Sequence, residues 1–143
     1  MVLESEIEIH ASAEKVWKLL TDSSKFPEWN PFIRRLSGKL AVGEKLVVFI
    51  RPSGAMGMEF KPVVLKVEPK RELRWLGRLL LPGIFDGEHI FLIEPLDDGR
   101  VCFYQREILT GFLVPLMKRF LDTDTRRGFS EMNQKLKELA EAA

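Results

Sequence analysis

The chain has 143 residues, enough for one domain that buries ~68% of its unfolded surface around a single core. Charged residues make up 30%, hydrophobic residues 45%, and the net charge is +1, which argues against disorder, a fibrous architecture or a nucleic-acid partner. Cys102 stands alone, so neither an internal disulfide framework nor a cysteine-rich metal site is available.

Residues 2 to 10 alternate, with Ile7 and Ile9 on one side and Glu6, Glu8 and His10 on the other, the pattern of a half-buried strand. The start carries no cationic leader or apolar signal run, and no stretch approaches the ~20 apolar residues of a membrane span, so a cytoplasmic protein without an integral membrane segment is expected. Ser12 offers an N-cap for a helix over about 13–21, with Val16, Trp17, Leu19 and Leu20 on its stripe. Residues 22–25 end it, and 26–29 have room only for a short turn before Asn30-Pro31 forces extended backbone.

From 32 to 110 the chain reads as strands over about 33–38, 44–51, 57–68, 71–78, 86–95 and 100–109, separated by glycine, proline or Asp-Asp-Gly and pairing as successive hairpins. Pro62 must then lie at an edge or a bulge. The last segment, about 112–141, is the longest helix: Leu113, Met117, Leu121, Thr125, Gly128, Met132, Leu136 and Leu139 share one face, and Pro115 falls in the first turn. Thr125 and Gly128 remove volume in mid-stripe, which calls either for a closely approaching strand backbone or for an internal cavity. Seven strands and one apolar stripe give an α+β protein, β-α-α-β6-α, in which a seven-stranded curved antiparallel sheet wraps around the long C-terminal helix over a single domain, 1–143.

Four connections, at 26–32, 51–57, 79–85 and 109–115, are apolar, and they alternate with polar ones at 38–44, 68–72 and 97–100. In an up-and-down sheet alternate connections lie at opposite ends, so the apolar ones gather at one end. Such an end has the character of a mouth for a greasy ligand. Phe32, Met56, Leu81, Ile84, Phe85 and Leu116 would form its entrance, the alternative being loops folded over as a plug. Residues 112–121 are apolar almost all round, Phe112 and Phe120 included, more than one packing face requires.

Signatures of catalysis are scarce. His10 and His89 are the only histidines, no second histidine or cysteine stands at metal spacing, and neither a Gly-x-Ser-x-Gly elbow nor a phosphate-binding loop occurs. The run 122–128 departs from a calcium loop in the position of its glycine and in carrying arginine at a ligand place. No metal, cofactor or catalytic residue is assigned.

Four segments carry a family resemblance: Ile9-His-Ala-Ser-Ala-Glu-Lys-Val-Trp17, Phe26-Pro-Glu-Trp-Asn-Pro31, Gly87-Glu-His-Ile-Phe91 and Glu107-Ile-Leu-Thr-Gly111. In order and spacing the chain resembles the START-like helix-grip superfamily (SRPBCC), and within it the small bacterial polyketide cyclase/dehydrase-like proteins. The resemblance implies the helix-grip fold, and it leaves function open, because that fold hosts carriers, sensors, cyclases and chaperone-associated modules. It also implies that His89 and Phe91 face inward, and it favours Phe103, Gln105 and Glu107 over Cys102, Tyr104 and Arg106 as the inward set of the last strand; a one-residue slip would exchange the two sets. His89 then either orients a ligand or bonds a neighbouring element in the core. An inward Glu107 needs a partner, Arg106 or an arginine of a neighbouring strand being candidates.

The function expected is binding of a small hydrophobic molecule, lipid-like or aromatic and polyketide-like, in a cavity between sheet and C-terminal helix. Trp29, Phe60, Trp75, Phe91, Phe103, Phe112 and Phe120 would supply walls, and His89, Gln105 and Glu107 the polar contacts. One alternative is a cyclase or dehydratase moving protons with His89, Glu107 or Tyr104. Another is a module whose apolar end contacts a protein or membrane. A monomer or weak homodimer accords with an exposed apolar mouth.

Overall fold

Strand β1 (Val2–Ile9) opens the computed structural model, which describes residues 1–79 and 81–142; Leu80, within the third apolar connection, and Ala143 lie outside the described residues. Leu3 and Ile9 are buried, while Glu4, Glu6 and Glu8 face out. Helix α1 (Ala13–Thr21) follows, capped by Ser12, whose Oγ accepts the Lys15 amide at 3.1 Å. Val16 and Leu20 enter the core. A 3-10 turn (Ser23–Lys25) and a single helical turn, α2 (Phe26–Trp29), lead to Asn30.

The remaining strands are β2 (Ile33–Ser37), β3 (Val47–Ile50), β4 (Met58–Phe60), β5 (Val63–Glu68), β6 (Glu72–Arg78), β7 (Asp86–Pro95) and β8 (Val101–Thr110). They form a five-stranded antiparallel sheet, β1-β8-β7-β6-β5, and a three-stranded one, β2-β3-β4. The single seven-stranded sheet read from the sequence is therefore corrected to five plus three. The cause is Lys61-Pro62: proline has no N–H for the ladder, and the strand expected over 57–68 breaks there into β4 and β5. The halves stay joined at a corner, where Leu46 N–H donates to Pro62 O at 2.8 Å and Val64 N–H to Glu44 O at 2.9 Å. Every other neighbouring pair follows the hairpin order, and β8 returns to β1 with Ile7 opposite Phe103.

The final helix is continuous but not uniform. Helix α3 (Val114–Phe120) passes through a π turn (Leu121–Thr125), in which the Arg126 N–H donates to Leu121 O, into α4 (Arg126–Glu141). The wide turn shifts the phase of the stripe, so α4 buries Phe129, Asn133 and Ala140 beside Gly128, Met132 and Leu136, while Leu139 is only half-buried. The mid-stripe gap borders a small cavity at Thr125, and at Gly128 it is filled by a side chain rather than by a strand backbone. The Phe32 ring fills it: a Cβ at Gly128 would overlap that ring, and Phe32 packs edge-on against Phe129 at 5.4 Å. Asn30 aims the ring, its Oδ1 accepting the amides of Phe32 at 3.0 Å and Ile33 at 2.8 Å.

With the long helix held against β1 and β8 and the sheets bent at Pro62, the architecture is an α+β helix-grip fold.

Candidate functional site

The four apolar connections meet at one end of the grip. Arg51 N–H donates to Phe32 O at 2.9 Å, joining the first to the second; Phe112 N–H to Gly83 O and Leu113 N–H to Ile84 O, each 3.1 Å, join the fourth to the third. Gly111, at φ +117°, allows this last approach, since a side chain there would strike the Ile84 carbonyl. Below them lies a cavity of about 40 Å³ whose walls come from every connection: Phe32, Pro52 and Met56, Phe85, and Leu109, with Met117, Phe120 and Leu121 of the helix closing one side. Glu107 and Thr125 are its polar lining residues.

A second cavity of about 30 Å³ adjoins it, lined by Val48, Pro62, Trp75, Gly77, Gly87 and His89. Ile50, Phe60, Phe85 and Glu107 line both and form the partition between them. Gly77 and Gly87 are register partners on β6 and β7, so the sheet carries no side chain there. The Glu107 carboxylate occupies the vacated space, and a Cβ on Gly87 would press on Oε1. Each cavity has room for a few water molecules, against the ~300–1,000 Å³ of a drug-sized ligand pocket. The cavity expected between sheet and helix is thus present as two small spaces bordered by aromatic and methionine side chains.

A chain of polar groups runs from the partition into the core. His89 and Glu107 are direct cross-strand partners on β7 and β8, with Nδ1 3.4 Å from Oε2. Nε2 lies 2.9 Å from Gln105 Oε1, Gln105 Nε2 donates to Asn133 Oδ1 at 2.9 Å, and Asn133 Nδ2 donates to Ser5 Oγ at 3.2 Å. With the Gln105 amide oxygen facing Nε2, Nδ1 faces the Glu107 carboxylate at the cavity wall. Among the described residues no donor other than His89 approaches the Glu107 carboxylate, which leaves an oxygen for a ligand's donor group.

Phe60, Trp75, His89, Glu107 and Phe120 line one or both cavities, as do Phe32, Met56 and Phe85. The other residues named from the sequence are placed elsewhere. Trp29 packs edge-on against Phe26 at 5.5 Å, half-buried at the end of the α2 turn, and lines neither cavity. Phe91 and Phe103 stack on each other at 6.2 Å in the filled core, and Gln105 is fully buried, holding His89 rather than a ligand. Phe112, Leu81 and Leu116 project into solvent, and Ile84 is half-buried against the core. The partner of Glu107 is His89 and not an arginine; Arg106 lies on the outer face of β8 and pairs with Glu4. Tyr104 is on that outer face too, its phenol pushed up chiefly by the neighbouring Cys102 thiol, and from that face it cannot move protons in the cavity. Asn133 and the Gly77–Gly87 pair were not assigned to the site from the sequence, and Met117 was read there only as part of the helix stripe. The two glycines inside strand patterns were the legible signal, since such glycines mark a close approach.

The family model for polyketide cyclase / dehydrase and lipid transport matches residues 2–141. The chain belongs to that family. The START-like resemblance agrees with a START superfamily protein of Mycobacterium smegmatis, which is 18% identical with a TM-score of 0.71, over 96% of this chain and 98% of that one. The hypothetical protein jhp0584 of Helicobacter pylori superposes with a TM-score of 0.82 at 17% identity, over 99% of this chain and 88% of its own. BexL, a di-domain ARO/CYC protein of the BE-7585A biosynthetic pathway, gives a TM-score of 0.76 at 13% identity, and the match covers all of this chain and 50% of BexL. At these identities the likeness is one of fold. No curated protein sequence matches the chain.

Proposed function

We propose that the protein binds a small hydrophobic molecule bearing one hydroxyl-type donor, with the apolar part between Phe60, Phe85, Met117 and Phe120 and the hydroxyl on Glu107. The observation that carries this reading is the Glu107 carboxylate, shared by two mostly apolar cavities and lacking a donor other than His89. An apolar alcohol or phenol supplies the missing donor, whereas a carboxylate ligand would set two like charges together. Entry requires the partition side chains Phe60 and Phe85 to turn aside and merge the cavities. Methionines at 58 and 117 suit such repacking. Burying about 300 Å² of ligand at ~25 cal/mol per Å² gives about 7 kcal/mol before the costs of association, consistent with weak, broad binding.

The test is a thermal-shift series with matched pairs, 2-naphthol against 2-naphthoate and dodecanol against dodecanoate. The hydroxyl partners should raise Tm in the wild type, and Glu107→Gln should reduce the preference for them. Equal stabilisation by both partners in wild type and variant would remove the assigned role of Glu107.

A second reading is favoured by one specific feature, the His89–Glu107 pair against the cavity: acid–base chemistry of the cyclase or dehydratase type. It requires that His89→Ala and Glu107→Gln each depress turnover of polyketide-like substrates. Unchanged turnover in both variants rejects it.

A further inference from the structure

The mouth carries apolar side chains that the ligand site does not use. Met56 is 86% exposed, Leu116 80%, Phe112 67% and Leu81 66%, the four highest exposures among the described large hydrophobic residues apart from Val42. They come from three connections and from α3, and the backbone bonds from Phe112 to Gly83 and from Leu113 to Ile84 hold two of these connections together. Met56 also lines the outer cavity with Met117 and Phe120 of the helix, which places the second connection beside the same surface. A cluster of this kind at one end of the fold, rather than scattered single residues, marks an interaction surface.

The unpaired charge next to it has one sign. Lys118 and Arg119 follow Leu116 on α3, both are exposed, and neither pairs with a carboxylate among the described residues. Arg51 is exposed on the second connection, its Nε donating to Ala55 O beside Met56. The nearby Asp86 is engaged by Arg78 at 3.5 Å and by the Gly83 amide. In a two-fold pairing of identical copies this surface would bring its cations together, so a second copy is a poor occupant. No helix among the described residues is long and apolar enough to cross a membrane, and α3 instead sets apolar and cationic residues side by side, as a shallow interfacial element does.

We propose that this end docks onto an anionic phospholipid surface, with Met56, Leu81, Phe112 and Leu116 entering the headgroup region while Lys118, Arg119 and Arg51 engage lipid phosphates. The mouth of the cavity then faces the bilayer. The docking itself does not depend on which ligand the cavity takes.

The experiment is flotation of the full chain with phosphatidylcholine vesicles, with and without a minority of phosphatidylglycerol, for the wild type, Phe112→Ser/Leu116→Ser and Lys118→Glu/Arg119→Glu. Melting curves establish that each variant is folded. The wild type should float with the anionic vesicles and much less with neutral ones, and each double variant should weaken binding roughly tenfold or more. No flotation of the wild type overturns the proposal. So does anionic binding that Phe112→Ser/Leu116→Ser leaves intact, which would mean electrostatic adsorption without insertion. A concentration-dependent dimer abolished by the same apolar variant, without vesicle binding, assigns the surface to a second copy instead.

Discussion

Glu107 owes its position to the residues under and beside it. Gly87 leaves the space for its carboxylate, His89 faces it across the ladder, and Gln105 with Asn133 fixes the ring of His89. A buried carboxylate without such partners would be costly. Glu107→Gln is accordingly expected to change ligand preference more than stability. Gly128 is a second position where absence of a side chain decides packing. Replacing it by alanine gains ~1 kcal/mol of helix propensity but drives a methyl into Phe32, which is buried and braced by Phe129. Overpacking of that kind costs about 1–3 kcal/mol, so Gly128→Ala should be net destabilising in urea denaturation, and an unchanged or raised midpoint would show that Phe32 moves freely. The sequence marked Gly128 as a gap in the stripe but could not say what fills it, because Phe32 is 96 residues away and is aimed by Asn30 through a local turn. His89 and Glu107 were likewise legible as inward residues, while their pairing depends on a register that spacing alone does not set.

The two halves of the final helix differ in what holds them. Helix α4 buries six residues against the sheet and α1, whereas α3 buries only Val114, lacks a side-chain N-cap and joins α4 through the π turn. Hydrogen exchange should therefore be markedly faster in Val114–Phe120 than in the buried turns of α4. Equal protection would mean that the two helices move as one body. At its other end α4 is tied to β1: Glu141 accepts the His10 amide at 2.8 Å and the Lys137 ammonium at 2.6 Å, and Lys137 donates to Glu8 O. The His10 amide first, then Lys137, lowers the Glu141 pKa, and the Arg100 hydrogen bond lowers that of Glu8. A carboxylate depressed in the folded state contributes stability above its unfolded value and loses it as pH falls through the folded one. The last turn of α4 should consequently exchange faster as pH drops below the ordinary carboxylate range, after correction for intrinsic rates, and Glu141→Gln should abolish that extra acid sensitivity. The element pattern itself was readable because periodicity and turn residues encode it locally. The π turn was not, since it preserves an apolar stripe while shifting its phase, and Pro62 signalled an interruption without revealing that the sheet would divide.

As a whole, the molecule is a grip whose interior is nearly full. Alternation of apolar and polar connections anticipated that the apolar ones gather at one end, because sheet topology converts loop parity into position. Cavity volume was beyond such reasoning: the same aromatic residues form walls when apart and fill the core when together, and Phe91, Phe103, Phe129 and His89 do the latter. What distinguishes a binding protein from a merely well-packed one is whether the partition at Ile50, Phe60, Phe85 and Glu107 opens for a ligand. A nuclear magnetic resonance titration of backbone amides and methionine methyls with a series of apolar alcohols and phenols addresses this at the site. Saturable one-to-one shifts centred on Met58, Phe60, Phe85, Glu107 and Met117 are predicted for at least one member of the series; the absence of any saturable shift at these residues up to ligand solubility would contradict the binding function.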